Sequence, residues 1–178
     1  GRFADKSVHL RYAASWGQQA KSKNILYLTA ANVYEKGPIV AYLDVMYSRQ
    51  GLDAMGIISD LQGPVVQTPT TAMNTEYLSF IADFDYRFHP NWNAYIKGAY
   101  ETAGVYETNG LFEKGVYRTT WNIQGCVEFF PMANSELMIF AHLLHKEHKM
   151  TERARALGAV STDTQRISFG LVYTIPVF

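Results

Sequence analysis

The sequence predicts an all-β protein, a transmembrane antiparallel up-and-down β-barrel with about eight strands in these 178 residues. Three observations favour this fold. Apolar and polar residues alternate through most of the chain, which is the period of a strand with two different faces. The connections between these segments are short and long in turn. No run of about 18 apolar residues occurs, so a membrane would be crossed by strands of about 9–11 residues.

The first half of the chain contains four predicted strands. Segment 7–16 alternates between apolar and polar residues, whereas segment 24–34 is apolar on both faces. Segment 38–48 is strand-like with a less regular alternation. In segment 75–88, every second residue from Leu78 onward is apolar. Alternation of this kind is typical of strands that present one apolar and one polar face.

Four more strands are predicted in the second half. Segments 92–102 and 115–130 alternate clearly, and segment 164–177 shows the pattern best. Segment 136–147 is less regular, because apolar residues also occupy its polar face. The residues between the last two strands, 150–159, are compatible with one turn of helix inside a loop.

The connections divide into two classes. Three are tight turns with Gly, Pro or Asn, at 35–37, 89–91 and 131–135. Four are predicted to be longer, at 17–23, 49–74, 103–114 and 148–163. All the tight turns fall at one end of the sheet and all the longer loops at the other, which is typical of outer-membrane barrels. Loop 49–74 is too long to be idle in a compact domain, and its role stays open.

Aromatic residues are frequent near the predicted strand ends. Tyr and Trp favour a membrane–water interface because each has an apolar body and a polar tip. The aromatic residues predicted to lie at the two interfaces are Trp16, Tyr47, Tyr86, Trp92, Tyr100, Tyr117, Phe129 and Tyr173. Such residues would form two girdles on the apolar face.

Composition excludes several functional classes. The chain has 16 basic and 16 acidic residues, which argues against a nucleic-acid partner. Its single cysteine, Cys126, excludes an internal disulfide framework and a Cys-rich zinc site. His142, His145 and His148 would alternate between strand faces, so we expect no metal site there. Motifs for hydrolases or nucleotide binding are absent from the sequence, and we expect neither a cofactor nor an enzyme.

Several segments resemble one family of Gram-negative outer-membrane proteins. The alternating strand from Arg166 to a terminal Phe178 resembles the last strand of such proteins. The turn Phe88–Trp92, the pair Gly37–Pro38 before a strand, and Met46-Tyr47-Ser48 followed by Gly51-Leu52-Asp53 resemble the phosphate-selective porin O and P family. The resemblance implies a barrel of 16 to 18 strands that forms a homotrimer in the outer membrane. This chain, one domain over residues 1–178, would then be the C-terminal part of that barrel.

In such a barrel the polar face would line a lumen. The expected pore-lining residues are Arg11, Asp44, Asp83, Asp85, Arg87, Lys97, Glu101, Arg118, Glu128, Lys146 and Arg166. With Glu136 added, cations and anions are equal in number. A phosphate pathway would need a ladder of cations, and this balance does not supply one.

The function that we expect is passive conduction of small polar or charged solutes by an outer-membrane porin, with lipid around the apolar face. A small, closed eight-stranded barrel that serves as an anchor or adhesion scaffold is the alternative. A soluble barrel that binds a ligand inside is a third possibility. It predicts apolar residues inside and polar residues outside, which is the reverse of the other two.

Overall fold

The computed structural model describes residues 2–3, 7–19, 23–52, 73–108, 113–132 and 137–174. In these residues one antiparallel sheet contains nine strands, each paired with its neighbours in the sequence. The strands are β1 (Arg2–Phe3), β2 (Val8–Gln19), β3 (Lys23–Lys36), β4 (Ile39–Leu52), β5 (Met73–His89), β6 (Trp92–Val105), β7 (Gly115–Phe129), β8 (Leu137–Met150) and β9 (Thr162–Tyr173). Because β1 has only two residues, the eight long strands are those that the alternation predicts. The all-β, up-and-down architecture is confirmed.

Within the described ranges the sheet is open, because β9 pairs only with β8 and β1 only with β2. A five-residue helix, α1 (Glu152–Ala156), lies in the connection between β8 and β9. It confirms the helical turn predicted within 150–159. The hydroxyl of Thr151 caps this helix by accepting a hydrogen bond from the Ala154 backbone N–H at 3.4 Å. No helix in the described ranges is long and apolar enough to cross a membrane.

The strands extend further toward the loops than the sequence predicts. The bounds predicted for the loop at 17–23 are wrong. Strand β2 continues to Gln19 and β3 begins at Lys23, with Gly17 paired to Ile25. These end residues are mostly polar, so their side chains carry no strand signal. The ladder joins backbone groups, which pair whatever the side chains are. Of the long connection 49–74, β4 takes the residues to Leu52, and residues 53–72 lie outside the described part.

The register assigns every strand residue to one of two faces. Residues directly opposite one another in an antiparallel pair share a face. One continuous row of such pairs crosses the sheet, through His9, Val33, Tyr42, Asp83, Lys97, Gln124, Leu144 and Arg166. We call the face that carries this row the polar face and the opposite one the apolar face.

Burial is the reverse of that in a soluble protein. Ser79, Asn122 and Cys126 on the polar face are buried. Trp16 and Phe169 on the apolar face are 72% and 78% exposed. Curvature of a single sheet crowds side chains together on its inner side. The polar face is therefore the inner one, and the apolar face points outward.

The apolar face has the height of a membrane core. On β5 it is continuous from Leu78 to Tyr86. At about 3.4 Å per residue this segment is roughly 27 Å long, and a strand tilt of about 40° reduces its height to roughly 21 Å. The apolar band of an outer-membrane barrel is about 25 Å tall. The outward face thus matches that band.

The pairing of β8 with β9 leads to a prediction for Gly170, whose backbone lies under the ring of Phe140. A Cβ added to Gly170 would lie 2.5 Å from Phe140 Cε1 and Cζ. We expect Gly170→Ala to destabilise the protein by about 1–3 kcal/mol, because the ring must leave its place. The readout is the urea midpoint for loss of the folded electrophoretic form, measured on protein purified from outer membranes.

Gly98→Ala is the matched control. Nothing lies within 4 Å of the Cβ that this change adds on the apolar face. It should therefore keep or slightly raise the midpoint, since alanine is better than glycine in a strand by roughly 0.5–1 kcal/mol. Equal midpoints for the two variants would contradict the ring contact.

Candidate functional site: the polar face of the sheet

The structure brings the expected pore-lining residues together on the polar face. Asp83, Lys97 and Arg166 share the row described above. The next row toward the loops contains Arg11, Ala31, Asp44, Ile81, Ala99, Asn122, Lys146 and Thr164. Asp85, Glu101, Arg118 and Glu128 lie an even number of residues from members of these rows, so they share the same face. Glu136 lies outside the described residues.

Arg87 lies at the short-turn end of this face, beside a shift in register between Tyr86 and His89. Its Nη2 donates a hydrogen bond to the Pro90 carbonyl at 2.7 Å. Its guanidinium carbon is 5.2 Å from the centre of the Phe130 ring. Arg87 is thus fixed to a turn and does not reach toward the middle of the face.

An amide joins two carboxylates near the short turns. Asn93 Nδ2 donates to Asp85 Oδ2 at 3.3 Å and to Glu128 Oε2 at 2.9 Å. In the adjacent row Asp83 is paired directly with Lys97. The sequence pattern does not single out Asn93. The only available signal was its position two residues before Tyr95 on the polar face.

A buried ion pair lies nearer the loops. Glu101 Oε2 accepts a hydrogen bond from Ser79 Oγ at 2.7 Å, and its Oε1 lies 3.9 Å from Arg118 Nη2. Both charged side chains are fully buried. The Arg118 guanidinium carbon is 5.9 Å from the Tyr77 ring centre and 5.8 Å from that of Tyr117. The ion pair therefore joins β6 to β7, and the hydrogen bond from Ser79 holds the Glu101 carboxylate in place.

Tyr117 is not where the alternation predicts. It was expected at the lipid interface, but it is 3% exposed and packs with Tyr77, Ala103 and Met150. The cause is a β-bulge, because Ala103 pairs with Arg118 whereas Gly104 pairs with Val116. Tyr117 is the extra residue, and the bulge turns its side chain toward the inner side. Tyr117 is therefore not a candidate for the membrane interface.

The other expected interface aromatics lie on the apolar face. Near the short turns, ring centres of Tyr86 and Phe88 are 6.1 Å apart, those of Phe88 and Trp92 6.5 Å, and those of Trp92 and Phe129 4.6 Å. These four rings form a continuous band. Trp16, Tyr47, Tyr100 and Tyr173 are also exposed or partly exposed on this face.

Polar groups border the apolar face on its loop side. The Tyr47 hydroxyl donates to Glu76 Oε2 at 3.0 Å and accepts from Arg49 Nε at 3.1 Å. The Arg49 guanidinium carbon lies 4.5 Å from the Tyr106 ring centre. Burial raises the pKa of the Tyr106 phenol, and the Glu107 carboxylate acts in the same direction, so Tyr106 stays neutral at physiological pH. Charged side chains, Arg49 and Glu76, thus lie at the loop-side end of the apolar band.

The three histidines of β8 alternate between faces. The His142 and His148 rings lie on the polar face, where His148 Nδ1 is 2.8 Å from Thr120 Oγ1. His145 lies on the apolar face, stacked on Trp121 with ring centres 4.5 Å apart and its Nε2 3.6 Å from Asp163 Oδ1. Among the residues that the structure describes, no group of three or more His, Cys, Asp or Glu residues could hold a metal ion.

Comparison with known proteins identifies a matching family. A family model described as phosphate-selective porin O and P matches residues 1–175, nearly the whole chain. No curated protein and no solved structure matches the chain significantly. The match and the outward apolar face come from different observations, one from the sequence and one from side-chain burial.

The buried pair leads to a prediction of stability. Glu101→Gln keeps a side chain of the same shape but removes the charge that faces the buried Arg118. Loss of one member of a buried pair typically costs about 3–5 kcal/mol. We expect a corresponding fall in the urea midpoint.

Glu128→Gln is the control, because Glu128 is only half-buried and a glutamine oxygen can still accept from Asn93. Similar midpoints for both variants would contradict the importance of the pair.

Proposed function

Because this chain belongs to the phosphate-selective porin O and P family, we propose that it forms part of the wall of a water-filled lumen. Small polar or charged solutes would cross it passively, through the outer membrane of a Gram-negative bacterium. The family indicates a channel of the outer membrane rather than an enzyme. The observation that carries the solute class is the charged polar face on the inner side.

Lipid and water explain why the faces differ as they do. A Lys or Arg side chain in the hydrocarbon core costs about 2–4 kcal/mol at mid-depth in a barrel, and an Asp or Glu side chain costs less. The polar face carries Lys97, Asp83 and Asp44 at mid-strand, so it is compatible with water and not with lipid. The outward face carries Phe80, Ile96 and similar side chains, which are compatible with lipid.

Charge on this face is balanced locally as well as in total. Lys97 is opposite Asp83, and Arg118 lies beside Glu101. A lumen wall with alternating charge produces a transverse field that orients polar solutes. It supplies no ladder of cations along the strands. We therefore propose general passage of small polar solutes and ions without a preference for phosphate.

The open sheet edges support a larger barrel. An unpaired strand edge exposes backbone N–H and C=O groups, which lipid cannot satisfy. Strand β9 pairs on one side only within the described residues. We propose that further strands complete a barrel of about 16–18 strands, and that residues 1–178 form its C-terminal part. Subunits of a homotrimer would meet through the outward apolar face.

The two alternatives receive less support. A closed eight-stranded scaffold needs β2 to pair with β9, and the described residues contain no such pairing. A soluble barrel needs an apolar interior, whereas Ser79, Thr120 and Asn122 are buried and Phe169 is exposed. No observation favours an anchoring or adhesion role.

Single-channel recording in a planar bilayer tests the proposal directly. The protein purified from outer membranes should give discrete, ohmic steps in potassium chloride. A folded, heat-modifiable protein without conductance would overturn the channel and favour the closed scaffold.

Ion selectivity tests the balance of charge on the wall. In a salt gradient, the reversal potential should show weak ion selectivity. A reversal potential that corresponds to a strong preference for anions would contradict the balanced wall.

Thiol labelling tests which face meets water. In a Cys126→Ser background, Lys97→Cys places a thiol on the polar face and Ile96→Cys places one on the apolar face of the same strand. A charged, membrane-impermeant thiol reagent should modify the first rapidly and leave the second unmodified in lipid vesicles. Both should react after unfolding in detergent, which controls for intrinsic reactivity. The reverse pattern would exclude a water-filled lumen on this side.

A further inference from the structure

A concavity lies in the polar face where β6, β7, β8 and β9 adjoin, nearer the short turns than the loops. Its volume is about 460 Å³, within the range of roughly 300–1,000 Å³ usual for small-molecule sites. The lining residues that matter below are Tyr95, Glu128, Met138, Phe140, His142 and Arg166. We call this concavity the ring pocket.

The ring pocket places apolar side chains next to charged ones on the polar face. Met138 and Phe140 occupy polar-face positions of β8, which is why that strand alternates poorly in the sequence. The Phe140 ring lies close to Gly170 on the neighbouring strand. The rings of Tyr95 and His142 adjoin it, with centres 6.5 Å apart. Apolar surface in contact with water is unfavourable by about 25 cal/mol per Å², so a solute with a flat apolar body would be held here.

Most polar groups of the ring pocket already have partners. Glu128 Oε2 accepts from Asn93, and His142 Nε2 is 3.1 Å from Gln124 Oε1. Arg166 differs, because its side chain is exposed and makes no hydrogen bond or ion pair with any residue of the described ranges. A guanidinium presents parallel N–H donors that match the two oxygens of a carboxylate.

The charges are separated along the strands. Arg166 lies one row nearer the loops than His142, because His142 is opposite Ser168. Glu128 lies one row nearer the short turns, opposite Phe140. Rows on one face are about 7 Å apart. The Tyr95 and His142 rings thus lie in the row between Glu128 and Arg166, which has no partner among the described residues, and Phe140 lies in the row of Glu128.

We propose that the ring pocket is a subsite for small organic anions that carry one carboxylate on a flat apolar body, such as aromatic carboxylates. Arg166 binds the carboxylate, and the rings with Met138 contact the body. Glu128 repels a second negative charge at the far end, which favours monoanions over dianions. The inference rests on the proposed function, since it names a solute class for the same lumen.

The test uses benzoate as the probe, with acetate and phosphate as comparisons, in single-channel recordings of the purified protein. Benzoate should interrupt the current in a concentration-dependent way at concentrations where acetate and phosphate do not. Arg166→Gln should raise the dissociation constant for benzoate by about tenfold or more, as expected for loss of a charge-assisted hydrogen-bonded contact.

Arg11→Gln is the matched control, because it removes the same charge from the polar face of β2, outside the ring pocket. It should leave that constant unchanged.

The outcomes separate this inference from the function on which it rests. Steady conductance that benzoate does not interrupt overturns the subsite and leaves the channel intact. Equal interruption by acetate overturns the role of the rings, and equal weakening in Arg11→Gln overturns the role of Arg166. If the protein does not conduct, calorimetric titration with benzoate of the wild type and Arg166→Gln in detergent decides the subsite alone. Binding that the variant loses supports it, and no binding overturns it.

Discussion

The register of backbone hydrogen bonds between neighbouring strands determines which side chains share a face and which of them meet. A slip of one residue would exchange the two faces of a strand. The ladders run without a shift from β2 to β5, which keeps His9, Tyr42 and Asp83 in one row. The two shifts, beside Tyr86 and beside Ala103, lie near strand ends, where they redirect single side chains and leave the rows intact.

Once the register is fixed, the surroundings of each face determine which side chains are stable there. In the proposed bilayer, lipid removes the usual penalty for exposed apolar residues such as Ile96 and Phe169. The inner side must then solvate or pair its charges. It does both, with Glu101 and Arg118 paired in the wall and Arg166 exposed. The face that holds the buried ion pair is thus also the face that we propose to line the lumen.

The strand β8 shows how one irregularity links packing to function. Its polar-face residues Met138 and Phe140 break the alternation, and Phe140 covers a glycine on the neighbouring strand. The ring fills the space that Gly170 leaves, and it still presents one surface to the inner side. Phe140 thus packs against Gly170 and also lines the concavity that we propose as a binding surface.

Alternation with a period of two is a local property of each segment, so the sequence predicts the strands and the parity of their faces. It therefore placed Asp83, Lys97 and Arg166 correctly on one face. The continuation of β2 through Gln19 is visible only in the folded sheet, because polar side chains there carry no strand pattern. The same holds for the bulge that turns Tyr117 inward and for Asn93, which joins two carboxylates. Those outcomes depend on register between strands, which is a non-local property that no single segment encodes.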